Sequence, residues 1–317
     1  MRSGDDLFAE ADRLEELGDQ QGALRVWREL ADRHPDPVAL CRLGWLSNKL
    51  GETEEAENAF KHATKLDPSF AGAYLALGSI AIDKGDYEEA ESLLRQLLRI
   101  EKSEGGYCLL GVSLWGLGRN DEAEASYREA LAIDPNYEEA HYNFGVLLRD
   151  SNPAEAEKHF RKALDIDAGY GVAHRELCWL LRKQDLLDEA EAYIRRSIEL
   201  RPDDGWAHIY LGNLLETKGD VAGAEAAYRW AHEARPQWAF PLCSLASLHE
   251  DRKEWRQAAE LYKQALELEP DDAVANMLFG RMLIKRNRRA QAKVFLGRAL
   301  LLDPDYRKAK ELLDSLN

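Results

Sequence analysis

An indole between two guanidinium groups is the most chemically pointed arrangement in this 317-residue sequence. Arg175, Trp179 and Arg182 fall at i−4, i and i+3, so a helix running through them presents all three on one face. Such a face recognises rather than catalyses: the ring gives broad apolar contact and the guanidinium forks bind carboxylates. Arg42, Trp45 and Lys49 repeat the theme, and Trp115, Tyr142, Arg149, Trp206, Tyr210, Asn213 and Phe240 extend it. The ligand that suits this set is a peptide or short helix with apolar anchors and acidic side chains. The competing reading has the aromatics wedged between neighbouring helices with arginines stacked on them, and Trp115 and Tyr210 are the two expected to pack in that way.

A repeat positions these residues. Small residues stand at Ala11, Gly44, Gly78, Gly111, Gly145, Cys178, Gly212, Ala246 and Gly280, always 33 or 34 places apart. A second ladder keeps the same period at Ala23, Ala56, Ala90, Ala123, Ala156, Ala190, Ala224, Ala258 and Ala292. Two small residues per period let two antiparallel helices approach to ~8–10 Å, so each period is a helical hairpin. The large residue four places after each alanine (Trp27, Phe60, Leu94, Tyr127, Phe160, Ile194, Tyr228, Tyr262, Leu296) is expected to fill the space between one hairpin and the next. The repeats run over 4–36, 37–70, 71–103, 104–137, 138–170, 171–204, 205–238, 239–272 and 273–306. Residues 307–317 follow as a capping helix with an apolar stripe of Ala309, Leu312, Leu313 and Leu316.

The pattern resembles the tetratricopeptide repeat family, whose 34-residue unit carries a large residue, Leu-Gly, Ala, an aromatic, Ala and Pro in that order. Gly111, Ala123, Tyr127, Ala130 and Pro135 match it in one repeat, and Tyr74, Leu77-Gly78, Ala90 and Leu94 in another. Departures are small: Cys178 replaces a glycine, Lys102 and Ala168 replace closing prolines, and the fifth repeat is one residue short in its internal turn. Ser151-Asn152-Pro153 offers that turn an N-cap and a first-turn proline. The resemblance implies an all-α fold, a right-handed superhelical solenoid of antiparallel helix hairpins whose first helices line a concave groove. A helical wheel puts Trp45, Tyr142, Trp179 and Trp206 on that side. The family's clamp for C-terminal carboxylates has no three consecutive repeats that match it. Its asparagine ladder reduces here to Asn143.

Other chemistries find little support. His141, His174 and His208 occupy one place in three successive repeats. A metal needs nitrogens within ~2.1 Å, while equivalent places on successive hairpins lie about a helix diameter apart, so a packing role is expected. Cys41, Cys108, Cys178 and Cys243 sit on alternate first helices, beyond the ~7 Å reach of a disulfide, and should be free thiols. No phosphate-binding loop, HExxH or Gly-x-Ser-x-Gly occurs, and no cofactor is expected. Glu54-Glu55 and Glu88-Glu89 read as solvated charges opening second helices. The net charge of −16 disfavours nucleic acid, which is bound by neutralising phosphates. No apolar run approaches the ~20 residues of a membrane helix, and Met1 to Leu14 has no secretory pattern. No membrane association and a cytoplasmic setting are expected.

These readings converge on a non-catalytic scaffold or adaptor that holds a segment of another protein in its groove. The alternative is a structural or assembly protein that docks, or self-associates, through its ends and convex face. Its first helix is crowded with Asp5, Asp6, Glu10, Asp12, Glu15 and Glu16. Its last repeat carries Arg281, Lys285, Arg286, Arg288, Arg289, Lys293 and Arg298 with no acidic residue among them, an expected electrostatic docking face for an acidic partner.

Overall fold

The computed structural model describes residues 2–316, so the last residue of the expected capping segment, Asn317, lies outside the described residues. Those residues form nineteen α-helices and no strand. They fall into two compact units, the first ending at Asp167 and the second beginning at Ala168, a division that the sequence reading did not foresee.

The first unit holds α1 (Gly4–Glu16), α2 (Gln20–Arg33), α3 (Pro37–Lys49), α4 (Thr53–Leu66), α5 (Ala71–Asp83), α6 (Tyr87–Ile100), α7 (Glu104–Gly116), α8 (Asn120–Ile133), α9 (Glu138–Leu148) and α10 (Pro153–Ile166). The second holds α11 (Gly171–Lys183), α12 (Leu187–Leu200), α13 (Gly205–Lys218), α14 (Val221–Ala234), α15 (Phe240–Asp251), α16 (Trp255–Leu268), α17 (Ala273–Lys285), α18 (Arg289–Leu302) and α19 (Arg307–Asp314). Each odd-numbered helix up to α17 packs on the even-numbered helix that follows, making a hairpin. The last helix, α19, packs on α18 and buries Ala309.

The small residues are demanded from within each hairpin. A Cβ added at Gly44 would stand 2.7 Å from the ring of Phe60, and one at Gly145 would stand 2.7 Å from that of Phe160. The large residue therefore lies over the glycine of its own hairpin, a contact additional to the expected one between hairpins. It also reaches the next one: Tyr127 stacks on Phe144 at 5.8 Å and Tyr262 on Phe279 at 5.7 Å.

Eight hairpins turn through one left-handed residue, a glycine at 18, 51, 85, 118 and 219, and Asp185, Lys253 or Asn287 in the others. The chain then closes a bond such as Asp86 N to Ala81 O, 2.8 Å, the Schellman arrangement that ends a helix. The fifth hairpin lacks this residue. There α9 stops at Leu148, and α10 is capped by the Asn152 side chain, which accepts from Glu155 N, with Pro153 in the first turn.

Between hairpins the recurrent histidines do the tying. The Nε2 atoms of His141, His174 and His208 lie 3.2, 3.0 and 3.1 Å from the carbonyls of Pro135, Ala168 and Pro202, each six residues back. Asn276 donates to Pro270 O in the same manner at 3.2 Å. The four cysteines are free and buried, and burial pushes each thiol up to about 12.

Candidate partner-binding surfaces

In the first unit, α3 is started by Asp36, whose carboxylate accepts from Val38 N and Ala39 N at 2.9 and 3.2 Å. That start turns Leu43, Gly44, Leu46 and Ser47 inward and leaves Arg42, Trp45 and Lys49 exposed. Trp45 stands 48% exposed, edge-on to Phe60 at 5.4 Å. Arg42 is held loosely, 3.9 Å from both Asp12 and Glu15 of α1. Tyr142 is half-buried, its ring 6.0 Å from that of Phe160. Arg149 does not lie within α9 but forms its C-cap in the shortened turn, where it is 3.7 Å from Asp150.

Trp115 is 45% exposed, against the expectation that it packs between helices. Its place in the repeat explains why it is unusual. Twelve residues before the large residue of the second helix, three repeats carry a glutamate that accepts a hydrogen bond from it. Glu15 takes Trp27 Nε1 at 2.5 Å, Glu216 takes Tyr228 Oη at 2.9 Å, and Glu250 takes Tyr262 Oη at 3.1 Å. Trp115 occupies that acceptor position opposite Tyr127, whose buried hydroxyl consequently has no partner among the described residues. A buried donor left unmade costs ~1–3 kcal/mol, so the hairpin would be better served by glutamate here.

In the second unit, Asp204 caps α13, accepting from Trp206 N and Ala207 N at 3.0 and 3.4 Å. The other oxygen of the same carboxylate takes Arg175 Nη1 at 3.1 Å and Arg201 Nη2 at 3.3 Å. Arg175 is thereby drawn into the structure, its side chain only 16% exposed and its guanidinium carbon 5.9 Å from the Tyr210 ring centre. This corrects the expected arginine–indole–arginine face: Arg175 is spent on its neighbour hairpin. Trp179 is half-buried and instead has Lys183 Nζ 5.3 Å from its ring, while Arg182 reaches Thr217 at 3.4 Å. Asn213 is likewise engaged, accepting from Tyr228 Oη at 2.7 Å.

Trp206 is 40% exposed and belongs to a cluster of three rings. Trp238 meets it edge-on at 4.7 Å, Phe240 lies 5.4 Å away, and Trp238 stacks on Phe240 at 5.7 Å. The Arg235 guanidinium sits 5.9 Å from the Trp238 ring centre. Sequence reasoning missed Trp238, although its place two residues before Phe240 is where Tyr137, Tyr170 and Tyr306 stand in other repeats. It also missed Trp230, which is 40% exposed and stacks on His208 at 4.0 Å. No pattern in the sequence joins those two residues.

The basic stretch of the last repeat is only partly a free face. Arg281 Nη2 and Lys285 Nζ lie 3.4 and 2.6 Å from the fully buried carboxylate of Glu250, and Arg298 lies 3.2 Å from Asp271. Glu55 is a similar correction: Arg28 and Ser47 bind it at 2.7 Å and hold its carboxyl at about 2, so it is not a solvated helix-start charge. Among the described residues no group of three or more His, Cys, Asp or Glu could hold a metal ion. No helix among them is long and apolar enough to cross a membrane.

The geometry is one of helix hairpins presenting exposed rings and cations, and family models recognise its repeats. Tetratricopeptide repeat models match residues 147–204 and 251–316, residues 176–237 and, as a TPR repeat, residues 113–150. A model of the cilia and flagella-associated protein 70 middle TPR-like domain matches residues 7–117. The chain belongs to the tetratricopeptide repeat family. Among curated relatives, it is 26% identical over 131 residues to the TPR repeat-containing protein YpiA of Bacillus subtilis, covering 41% of this chain and 31% of that one. It is 26% identical over 137 residues to the BBSome complex member bbs-4 of Caenorhabditis elegans, covering 42% and 29%. The matches thus span less than a third of either relative. Yeast Tom70 shares the fold, with a TM-score of 0.60 and 14% identity over 99% of this chain and 88% of that one. The tetratricopeptide repeat solenoid is a scaffold for protein interaction.

Proposed function

We propose that this protein is a non-catalytic adaptor that binds a peptide or helix segment of a partner protein along its first helices. The observation that carries this reading is the exposure of three first-helix tryptophans. Trp45 and Trp115 in the first unit and Trp206 in the second are each 40–48% open to solvent. Trp115 stands, moreover, at the cost of an unbonded Tyr127 hydroxyl. Large aromatic surface beside arginine and lysine is where binding energy concentrates. On the first unit, acidic side chains of a partner would meet Arg42 and Lys49; on the second, taken by itself, they would meet Arg182, Lys183 and Arg235, with apolar anchors on the rings in either case. A cytoplasmic setting belongs to the reading and suits four buried free thiols.

The test is affinity purification with the intact protein and with a Trp206→Ala variant, followed by titration of each partner that the variant loses. Binding should weaken by ~2 kcal/mol or more with helicity and melting nearly unchanged. An early-melting variant would make the ring a packing element. Unaltered binding of the native partner would move the site away from the first helices.

A further inference from the structure

A cavity of about 340 Å³ opens in the last complete hairpin, lined by α16, α17 and α18. Its floor is apolar: Phe279, Met282 and Leu283 of α17, with Phe295 of α18, the two phenylalanine rings 4.6 Å apart. Its rim carries Lys263, Arg286 and Arg288. All three are exposed, and none has an ion pair among the described residues. That sets them apart from Arg281, Lys285 and Arg298 of the same stretch, which are committed to Glu250 and Asp271. Asn287, in the left-handed region at φ 56°, fixes the turn from which Arg286 and Arg288 project. Apolar surface continues along α18, where Val294 is 68% and Leu301 83% exposed, one and three turns beyond the cavity residue Gln291.

Three unspent cations around an apolar hollow, in a chain of net charge −16, form a local inversion of the molecule's own electrostatics. The complementary ligand has one apolar side chain to fill the hollow and carboxylates placed around it. We propose that this cavity is a docking site for an acidic amphipathic segment of a partner protein. Its apolar anchor rests on Phe279 and Phe295, and its carboxylates meet Lys263, Arg286 and Arg288. The site is separate from the first-helix tryptophans and stands or falls without them. Phosphate-rich ligands fit less well, because they would leave the apolar hollow unfilled.

The experiment uses a phage-displayed library of random dodecapeptides selected on the whole 317-residue chain at low ionic strength. Winning sequences should combine Leu, Phe or Trp with flanking Asp or Glu. A winner measured by fluorescence anisotropy should lose ~tenfold or more in affinity on the double variant Arg286→Glu, Arg288→Glu, and regain it when its acidic residues are changed to lysine. Replacing the winner's apolar residues with alanine tests the hollow without altering the protein, and should also abolish binding. Winners without acidic residues, or winners that bind the double variant as tightly as wild type, would overturn the proposal. So would salt-sensitive self-association in sedimentation that the double variant abolishes, since the occupant would then be the acidic first helix of a second copy.

Discussion

Tyr127, Tyr228 and Tyr262 are equivalent residues with different hydroxyl environments, and this difference makes them a controlled set. The Tyr228 hydroxyl lies within hydrogen-bond distance of both Asn213 and Glu216, and that of Tyr262 donates to Glu250, whereas Tyr127, with Trp115 at the acceptor's place in the sequence, donates to nothing described. Removing the hydroxyl from Tyr262 strips a bond from a carboxylate that is itself buried, and Tyr262→Phe should cost ~1–2 kcal/mol in urea denaturation. Tyr127→Phe should be neutral or stabilising by up to ~1 kcal/mol, because it removes a donor that has no acceptor. Equal losses in the two variants would show that Tyr127 has a partner, such as a bound water, and would weaken the view that Trp115 is kept for something other than folding. The pairing of Glu15 with Trp27 across twelve residues is visible in the sequence once the repeat is aligned, as is the missing acceptor before Tyr127. The capture of Arg175 by Asp204 is not, because a helical wheel carries only the residues of its own helix and this bond joins two hairpins.

At the scale of the hairpin, the fold was legible because the requirement for a small residue is strict. Gly111 faces the Tyr127 ring so closely that an added Cβ would stand 2.5 Å from it, so Gly111→Ala must displace a buried aromatic. The expected loss is ~1–3 kcal/mol by chemical denaturation, despite alanine's better helix propensity. A variant as stable as wild type would mean that the ring can tilt away at no expense, and the marker would not be the constraint it is taken for. Surface charge is a weaker specifier of the same elements. Glu91 bridges Arg95 of its own helix and Arg119 of the next hairpin, and Glu191 does the same with Arg195 and Lys218. Such pairs contribute ~0–1 kcal/mol each, so many other residues could stand there without changing the fold. That is why the hairpins are legible in their spacing while the exposed face is not. Spacing encodes packing, and the surface residues answer to partners that are absent from the sequence.

For the whole molecule, stability is a sum over hairpins and their neighbour contacts, so a local loss is felt where it occurs. Acid should find the fifth hairpin of the first unit early. His141 Nε2 must carry its proton to donate to Pro135 O, which leaves its Nδ1 as acceptor for His159 Nδ1–H at 2.9 Å. Burial favours this neutral arrangement: it lowers His141, and together with the neighbouring His141 it pushes His159 down to about 4. An unfolded histidine titrates near ~6.5, so between ~6.5 and about 4 the unfolded chain binds more protons than the folded one, and stability falls as pH falls through that window. Above it the pair contributes no pH dependence. Paired carboxylates act lower: Glu55, held at about 2 by Arg28, contributes fully above the ordinary carboxylate range and loses that contribution as pH falls from that range towards about 2. Urea midpoints of the wild type should thus decline from pH 7 to pH 5, before any carboxylate is protonated. His159→Gln, with one titrating ring gone, should decline less over the same interval. A wild-type midpoint that is flat across it, or a variant that follows the wild type throughout, would mean that the two rings are free to take up protons in the folded state.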